Sequence, residues 1–248
     1  MKILLLDIET APNTAHVWGL FKQNVSINQL MESSYVLCWA AKWYKSKEVM
    51  FNSVYKTSPQ EMLLEIHALL DEADAVIHYN GTKFDIPTLN KEFLLHGLPP
   101  PAPYKQIDLL KTARNQFKFP SNKLDYVAKA LGFDGKVKHI GHELWINCMA
   151  GNKQSWKDME EYNKHDVVLL EKVYKELLPW VKSHANYSLY NDKSNCCPHC
   201  GSTKYHRRGF AYTSVGKYQR FQCNKCNTWF RGLTSEAPKP NRKYVSII

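Results

Sequence analysis

Two acidic residues stand at the end of an apolar strand near the N-terminus. Residues 3–6 are Ile-Leu-Leu-Leu, Asp7 follows them, and Glu9 comes two positions later. Because side chains alternate across a strand, Asp7 and Glu9 point to the same face. Two carboxylates this close repel each other, which raises their pKa values unless a cation lies between them. Oxygen ligands at this spacing suit Mg²⁺ or Mn²⁺, whereas the simpler interpretation is a strand end where both acids are solvated.

Two later segments carry acids in comparable settings. In "HYNGTKFDIPTL" (78–89), Asp85 follows a turn and opens a helix, where it could also act as an ordinary N-cap. In "YNKHDVVLL" (162–170), Tyr162 and Asp166 are four residues apart and therefore share one helix face. Taken alone, Asp166 could be a solvated helix acid, and Tyr162 could be a tyrosine packed in the core.

The three segments together resemble a known enzyme family. DIE on a first strand, NGxxFDxPxL in the middle and YxxxD on a late helix occur in this order in the DEDD 3′–5′ exonucleases. A tyrosine four places before the last Asp is typical of the DEDDy branch, which includes the proofreading domains of DNA polymerases. The sister branch has a histidine five places before that Asp, and Glu161 occupies this position here. The resemblance covers about residues 1–180.

The resemblance implies a set of roles for these residues. Asp7, Glu9, Asp85 and Asp166 would hold two Mg²⁺ or Mn²⁺ ions. Tyr162 would orient the attacking water, since a phenol with a pKa of about 10 is a poor base at neutral pH. Asn80 would bond the substrate or brace its loop, and Phe84 is expected to pack. The rival carboxylate is Asp108, while Asp125 is interpreted as structural.

Four cysteines near the C-terminus form two knuckles. The knuckles lie 22 residues apart and consist of Cys197-x-x-Cys200 and Cys223-x-x-Cys226. Two CxxC pairs at this distance predict a Cys₄ site for one structural Zn²⁺, and the segment resembles a zinc ribbon. Spare ligands are present in Cys196, which could replace Cys197, and in His199.

Positive charge is concentrated in the same region. The formal net charge is +10, and residues 186–248 contain 11 of the 33 Lys and Arg but only 2 of the 23 Asp and Glu. Such a block favours nucleic acid, although a solvated basic surface is the alternative. Aromatic residues interleave with the charges, and the sequence alone does not separate those that pack around zinc from those that are free to stack on bases. The predicted nucleic-acid contacts are Asn80, Arg207, Arg208, Lys217, Arg220 and Arg231.

The surrounding pattern predicts the elements that must position these residues. Ser58-Pro59-Gln60-Glu61 is a capping box that opens a helix. Further helices are expected at 86–96, from a Ser121 cap to 131, and from a Ser155 cap to about 179. Strands are expected at 2–8, 35–43, 48–54, 75–78 and 106–109. Strands that alternate with helices favour an α/β fold, which the resemblance specifies as a ribonuclease H-like mixed five-stranded sheet flanked by helices.

These observations define the expected organisation and function. We expect a DEDDy exonuclease domain at 1–185, a linker at 186–195, a zinc ribbon at 196–233 and a basic tail at 234–248. The sequence contains neither an apolar run of about 18 residues nor a signal-peptide pattern, so we expect a cytoplasmic protein without membrane contact. The expected function is 3′–5′ hydrolysis of single-stranded DNA, with a replication or repair protein as partner. The alternatives are an exoribonuclease on the same site and a non-catalytic nucleic-acid-binding scaffold.

Overall fold

The computed structural model describes residues 1–137, 139–190 and 195–237. Part of the predicted linker, residues 191–194, and the predicted tail beyond residue 237 therefore lie outside the described residues. The chain divides into two compact units, one formed by Lys2–Lys175 and one that begins at Glu176. The domain boundaries proposed from the sequence stay predictions.

A mixed five-stranded sheet forms the centre of the first unit. Its strand order is β5-β4-β1-β6-β7, in which β1 runs antiparallel to β4 and parallel to β6. The elements of this unit in chain order are β1 (Ile3–Thr10), β2 (Thr14–Ala15), β3 (Leu30–Glu32), β4 (Val36–Trp43), β5 (Met50–Ser53), α1 (Pro59–Glu72), β6 (Ala75–His78), α2 (Asp85–Leu95), β7 (Lys105–Asp108), α3 (Leu109–Gln116), α4 (Leu124–Ala130), α5 (Glu143–Met149) and α6 (Lys153–Leu177).

The central strand β1 is buried on both faces, which explains its unbroken apolar run. Leu4, Leu6 and Ile8 point to one face, where they pack in one core cluster with residues of α1 and α2. On the other face of the sheet, α5 and α6 pack against Leu37 and Cys38 of β4. Alternation along β1 therefore turns Asp7 and Glu9 toward the face covered by α5 and α6.

Helix boundaries confirm some sequence signals and correct others. The capping box at Ser58 is present, with the Ser58 side chain accepting from the Glu61 N–H. The predicted Ser121 cap is wrong, because α4 starts after Lys123 and has no side-chain cap. The predicted Ser155 cap is also wrong, because Ser155 lies inside α6, which begins at Lys153. The sequence interpretation missed α3 and α5 entirely.

The second unit contains a three-stranded antiparallel sheet. It consists of β8 (Tyr205–Thr213), β9 (Gly216–Cys223) and β10 (Trp229–Ser235) in the order β10-β9-β8. A tight turn at Ser214 and Val215 connects β8 to β9, with Thr213 paired to Gly216. In the part of the chain that the structure describes, no helix has the length and apolar character needed to cross a membrane.

Candidate active site and zinc centre

Three of the four predicted acids meet on the α6 side of the sheet. Carboxylate oxygens of Asp7, Glu9 and Asp166 all lie within 4.8 Å of one another. Asp7 and Glu9 come from β1 and Asp166 from α6, so the sheet and the helix that covers it must be in place before the oxygens can meet. The grouping agrees with the resemblance noted from the sequence.

Asp85 lies beside this group rather than within it. Its Oδ1 accepts a hydrogen bond from the Ile8 N–H at 3.2 Å, and Ile8 lies between Asp7 and Glu9 on β1. The side chain is buried, with 3% of its surface exposed, at the first residue of α2. Asp85 is therefore tied to the backbone of β1 between the two β1 acids, although its oxygens are not part of the group formed by Asp7, Glu9 and Asp166.

Burial and mutual repulsion shift the pKa values of these acids upward. Burial raises the pKa of Asp7 well above its usual value, and the charges of Asp166 and Glu9 add to the effect. Burial likewise raises the pKa of Glu9 to about 8 and that of Asp85 to about 7. For Asp166, burial also raises the pKa, although the nearby Lys136 ammonium opposes this. Clustered buried carboxylates of this kind need compensating cations.

The donor set fits a divalent cation. Hard carboxylate oxygens are the ligands that Mg²⁺ and Mn²⁺ prefer. Moreover, Oδ1 of Asp166 is buried and has no hydrogen-bond partner among the described residues, so it is available as a ligand. The ligand identity predicted from the sequence stays a prediction, and it is consistent with this arrangement.

A lysine that the sequence interpretation missed reaches the acids. The Lys136 ammonium forms an ion pair with Asp166, and its Nζ lies 3.0 Å from the Tyr162 hydroxyl. Burial alone would lower the pKa of Lys136, but the charges of Asp166 and Asp7 outweigh that effect and raise it above the usual value. Lys136 therefore carries a full positive charge next to the carboxylate group.

The segment that presents Lys136 is held in place from two sides. Its backbone N–H donates to Oδ1 of Asp125 at 2.8 Å, which confirms the structural role predicted for that acid. The carbonyl oxygen of Gly135 lies 3.1 Å from Nε2 of His165. A Cβ at Gly135 would come within 2.2 Å of the Asp125 carboxylate, so glycine permits this close approach.

Tyr162 lies one helical turn before Asp166 and is almost fully buried. Its ring contacts His139, with a centroid distance of 4.8 Å, and Trp145 at 6.0 Å. Burial raises the pKa of the Tyr162 hydroxyl above its usual value, and the charges of Asp166 and Glu9 raise it further. The hydroxyl is therefore protonated at neutral pH and is suited to hydrogen bonding rather than to proton removal.

Asn163 is a second residue that the sequence interpretation missed. It is fully buried on α6, and its Nδ2 donates to Oδ2 of Asp7 at 2.7 Å. This hydrogen bond joins the helix to the central strand and orients the Asp7 carboxylate. No local pattern identifies such a residue, because its partner is on β1, at the opposite end of the first unit in sequence.

The rival carboxylate Asp108 has a different task. Its Oδ1 accepts backbone N–H groups of Leu110 and Asn80, both at 3.0 Å, so it caps α3 and braces the turn before α2. Asn80 adopts a positive φ of 73° in that turn. Phe84, which was expected to pack, is instead 42% exposed.

Gly81 of the same turn packs against a buried histidine. His78, the last residue of β6, is fully buried, and burial lowers its pKa to about 4. A Cβ on Gly81 would lie 2.3 Å from Cγ of His78. Glycine is required here because the imidazole occupies the space that any side chain would need.

A cleft of about 630 Å³ opens next to the acids. Its wall includes Asp7 and Lys136 from the site, Asn80 from the turn, and the basic residues Arg114 and Lys123. This volume lies within the range of ligand pockets in proteins. The cleft therefore combines a carboxylate group with cationic side chains at its border.

The four predicted zinc ligands come together in the second unit. The sulfur atoms of Cys197, Cys200, Cys223 and Cys226 all lie within 4.8 Å of one another. Two pairs, Cys197 with Cys226 and Cys200 with Cys223, are separated by 3.6 Å. Sulfurs bound tetrahedrally at a Zn–S distance of about 2.3 Å would lie about 3.8 Å apart, so the cluster fits Zn²⁺.

The spare ligands lie outside this cluster in the described residues. Cys196 is not among the four clustered sulfurs. Nδ1 of His199 lies 3.2 Å from the Leu178 carbonyl oxygen and 3.2 Å from Oγ1 of Thr228, and its ring stacks on His184. His199 therefore serves packing within this unit.

Comparison with known proteins agrees with the geometry of the first unit. A family model described as the RNase_H superfamily matches residues 4–178, which is most of the chain. The chain belongs to the RNase_H superfamily. This membership, together with the mixed five-stranded sheet, confirms the predicted fold class.

Structural similarity to a polymerase supports the same fold. The family B DNA polymerase from the hyperthermophilic archaeon Pyrobaculum calidifontis superposes with a TM-score of 0.53 at 16% sequence identity. The match covers 72% of this RNase_H-superfamily chain and 24% of the polymerase chain, so the chain spans about a quarter of that polymerase's length. A search of curated proteins finds no match to this sequence.

Proposed function

We propose that this chain is a metal-dependent 3′–5′ exonuclease of the DEDDy type that shortens single-stranded DNA. The observation that carries the proposal is the meeting of Asp7, Glu9 and Asp166 oxygens within 4.8 Å, with Tyr162 one turn away on the same helix. The proposal is also supported by Asp85 of α2, which accepts a hydrogen bond from the β1 backbone between Asp7 and Glu9, and by the RNase_H-superfamily fold. The structural similarity to a DNA polymerase favours DNA over RNA as substrate.

The acids provide the ligands for two divalent ions in this proposal. Asp7, Glu9, Asp85 and Asp166 would hold Mg²⁺ or Mn²⁺, which when bound supplies Lewis-acid charge to an attacking water and to the leaving 3′ oxygen. The raised pKa values of the acids agree with this role, because the buried carboxylates gain from neutralisation by cations. Asn163 holds the Asp7 carboxylate in a fixed orientation through its 2.7 Å hydrogen bond.

The remaining groups position the substrate. The protonated Tyr162 hydroxyl orients water by hydrogen bonding. The Lys136 ammonium keeps positive charge beside the acids and attracts a phosphate that approaches through the cleft. Arg114 and Lys123 on the cleft wall would attract further phosphates of the same nucleic-acid strand.

The test is end-labelled digestion with the complete chain. Oligonucleotides of 20 residues labelled at the 5′ end, as single-stranded DNA, duplex DNA and RNA, are incubated with and without Mg²⁺ or Mn²⁺. We expect single-stranded DNA to shorten stepwise from its 3′ end when metal is added. Preferential shortening of RNA would replace the proposal by an exoribonuclease, and binding without shortening would replace it by a scaffold.

Variants of two acids connect the activity to the site. Asp7→Ala or Asp166→Ala should reduce the cleavage rate by at least about a thousandfold, because several kcal/mol of metal-derived stabilisation is lost. The metal-free melting temperature of each variant shows whether folding survives, since each change relieves repulsion between the acids but also leaves Asn163 or Lys136 without its partner. Undiminished cleavage by both variants would contradict the site assignment. The cytoplasmic location and the replication or repair partner stay predictions from the sequence.

A further inference from the structure

The sheet of the zinc-binding unit has two chemically different faces. Residues paired directly across neighbouring strands point to the same side, so the register assigns each side chain to a face. One face is apolar and carries Tyr205, Phe221 and Phe230, whose ring centroids are 5.3–5.4 Å apart. Cys223 pairs with Tyr205 and lies on this same face, so these aromatics pack beside the cysteine cluster.

The opposite face carries an exposed tryptophan surrounded by arginines. Trp229 pairs with Gln222 and Arg231 pairs with Arg220, which places these side chains on one side. The guanidinium carbons of Arg220 and Arg208 lie 4.8 Å and 5.6 Å from the Trp229 ring centroid, yet 47% of Trp229 is exposed. We call the side chains of Arg208, Tyr218, Arg220, Trp229 and Arg231 the Trp229 face.

The arginines of this face are held in place. Arg208 donates to the Gln222 side chain at 2.7 Å, and Nε of Arg220 donates to the Arg208 carbonyl oxygen at 2.9 Å. The guanidinium of Arg231 lies 3.9 Å from the Tyr218 ring centroid. Planar cations and aromatic rings are thus arranged before any ligand binds, which reduces the ordering cost of binding.

The described segment 195–237, which carries this face, has a single acid beside its positive charges. In the sequence from residue 195 to residue 237, Glu236 is the single acidic residue, against seven Lys and Arg. Glu236 follows β10, where its N–H bonds the Lys217 carbonyl oxygen, and Lys217 projects to the apolar face of the sheet. Within the described residues 195–237, the three arginines therefore present a positive surface that favours a polyanion.

We infer that the Trp229 face binds single-stranded nucleic acid, with an unpaired base stacked on the Trp229 and arginine planes and with phosphates on the guanidinium groups. Stacking requires a base whose flat face is open, which a duplex hides inside its own stack. In the proposed exonuclease, the Trp229 face would hold the single-stranded substrate, and this role rests on the proposed function. Binding itself is measurable without cleavage, so the two proposals fail separately.

Five basic residues of this unit were predicted from the sequence to contact nucleic acid. The structure places three of them on the Trp229 face and two on the apolar face. Arg207 pairs with Phe221 and Lys217 pairs with Tyr212, so both lie on the apolar side of the sheet. Nζ of Lys217 lies 3.9 Å from the Phe210 ring centroid. Tyr212 on that side is 73% exposed. Arg207, Lys217 and Tyr212 therefore provide controls that match the Trp229 face in charge and aromatic character.

The first test measures binding of a fluorescein-labelled dT20 strand to the complete chain by fluorescence anisotropy. Mg²⁺ and Mn²⁺ are omitted to prevent cleavage, and chelators are omitted to retain zinc. Trp229→Ala should raise the Kd about tenfold or more, as expected for the loss of a stacked base. Trp229→Phe should keep most of the affinity and Tyr212→Ala nearly all of it. Zinc content and circular dichroism establish that each variant is folded.

The second test measures how affinity depends on salt. Each of Arg208→Gln, Arg220→Gln and Arg231→Gln should reduce the slope of log Kd against log salt concentration by about 0.7, the value for one phosphate contact on a single strand. Arg207→Gln and Lys217→Gln should change the slope less.

Three results would overturn the inference. The first is a Trp229→Ala variant that binds dT20 like the parent, or a Tyr212→Ala variant that loses as much affinity. The second is equal affinity for dT20 and a 20-base-pair duplex, which would exclude stacking. The third is tighter binding of a poly-glutamate peptide than of dT20, which would assign this face to an acidic protein partner. Absence of cleavage with these binding results intact would contradict only the exonuclease proposal.

Discussion

The carboxylate site of the first unit and the cysteine site of the second are both suited to cations, but the chain builds them in opposite ways. Asp7 and Asp166 are separated by almost the whole first unit and meet only through the packing of α6 on the central strand. The four cysteines lie on two short knuckles joined by one hairpin. The carboxylate site therefore depends on a complete core, whereas the cysteine site can itself supply the stability that a small core lacks.

This difference also appears in the electrostatics of the two sites. Burial within the first unit raises the pKa values of Asp7, Glu9 and Asp85, and for Asp7 and Glu9 the charges of neighbouring acids add to this effect. A cysteine cluster in a small sheet has no comparable core to hold it. Metal binding should therefore change the stability of the first unit without being needed for its folding. Zinc should be required for the folding of the second unit.

The largest effect is expected from removal of one zinc ligand. Cys223→Ser should abolish zinc binding and unfold the three-stranded sheet, because a structural Zn²⁺ contributes about 10–16 kcal/mol to the folding of such modules. Zinc content and limited proteolysis between β8 and β10 measure the outcome. Cys196→Ser is the matched control and should retain zinc, since Cys196 lies outside the sulfur cluster. Equal zinc loss in both variants would contradict this ligand assignment.

A smaller effect is expected from pH, which should change the stability of the first unit through the carboxylate site. The pKa of Glu9 is about 8 and that of Asp85 about 7, above their usual values of 4.5 and 3.8. Between pH about 5 and 8 the folded chain therefore binds protons that the unfolded chain has released. The free energy of unfolding of the metal-free protein should consequently fall as pH rises through this window.

Thermal melting at pH 5.5, 6.5 and 8 measures this dependence. Mn²⁺ should raise the melting temperature most at pH 8, where the acids give up their protons to the metal most readily. Glu9→Gln is the control and should flatten the pH dependence. A metal-free melting temperature that rises between pH 5.5 and 8, and is unaffected by Glu9→Gln, would show that these acids are not held together as described.

A third prediction concerns the hydrogen bond that orients Asp7. Asn163→Leu removes the donor to Oδ2 of Asp7 and should weaken Mn²⁺ affinity about 10- to 100-fold, the usual cost of losing a partner of a metal ligand. The Mn²⁺ concentration that gives half-maximal cleavage measures this effect. Lys164→Gln changes the next residue of the same helix, which pairs with Glu160, and should leave the Mn²⁺ requirement unchanged. A similar shift in both variants would indicate general helix damage.

The smallest effect is expected at the tyrosine. Tyr162→Phe keeps the ring packed against His139 and removes only the hydroxyl, so kcat should fall about tenfold with little change in Mn²⁺ dependence. Loss of a general base would instead cost about 10²- to 10⁴-fold and would change the pH profile of kcat. The pH profiles of the variant and the parent therefore separate water positioning from proton removal.

Spacing within the sequence was sufficient for several local features. The capping box at Ser58 and the strand Ala75–His78 follow from patterns of a few residues, and the structure contains both. The cysteine knuckles follow from spacing in the same way. Local signals also misled: Ser121 and Ser155 do not start helices, whereas Asp108, the predicted rival carboxylate, caps the helix α3 that the sequence did not indicate.

The contacts that spacing could not reveal are long-range. Lys136 reaches Asp166 and Tyr162 from a segment without regular secondary structure, and Asn163 reaches across to β1. Neither residue belongs to a recognisable motif, because each acts on a partner supplied by the tertiary fold. The split of the basic residues between two sheet faces was also hidden, since it depends on strand register and on the position of each pair.

The packing of Gly81 against His78 has a consequence for how this turn can vary. Because the imidazole already fills the volume beside the glycine Cα, position 81 cannot accept a larger residue unless position 78 shrinks at the same time. Substitutions at the two positions should therefore be tolerated only together, for example Gly81→Ala combined with His78→Ala. Glycine is thus required at position 81 because of His78, which lies beneath the turn, and not because of the surface that a nucleotide would meet.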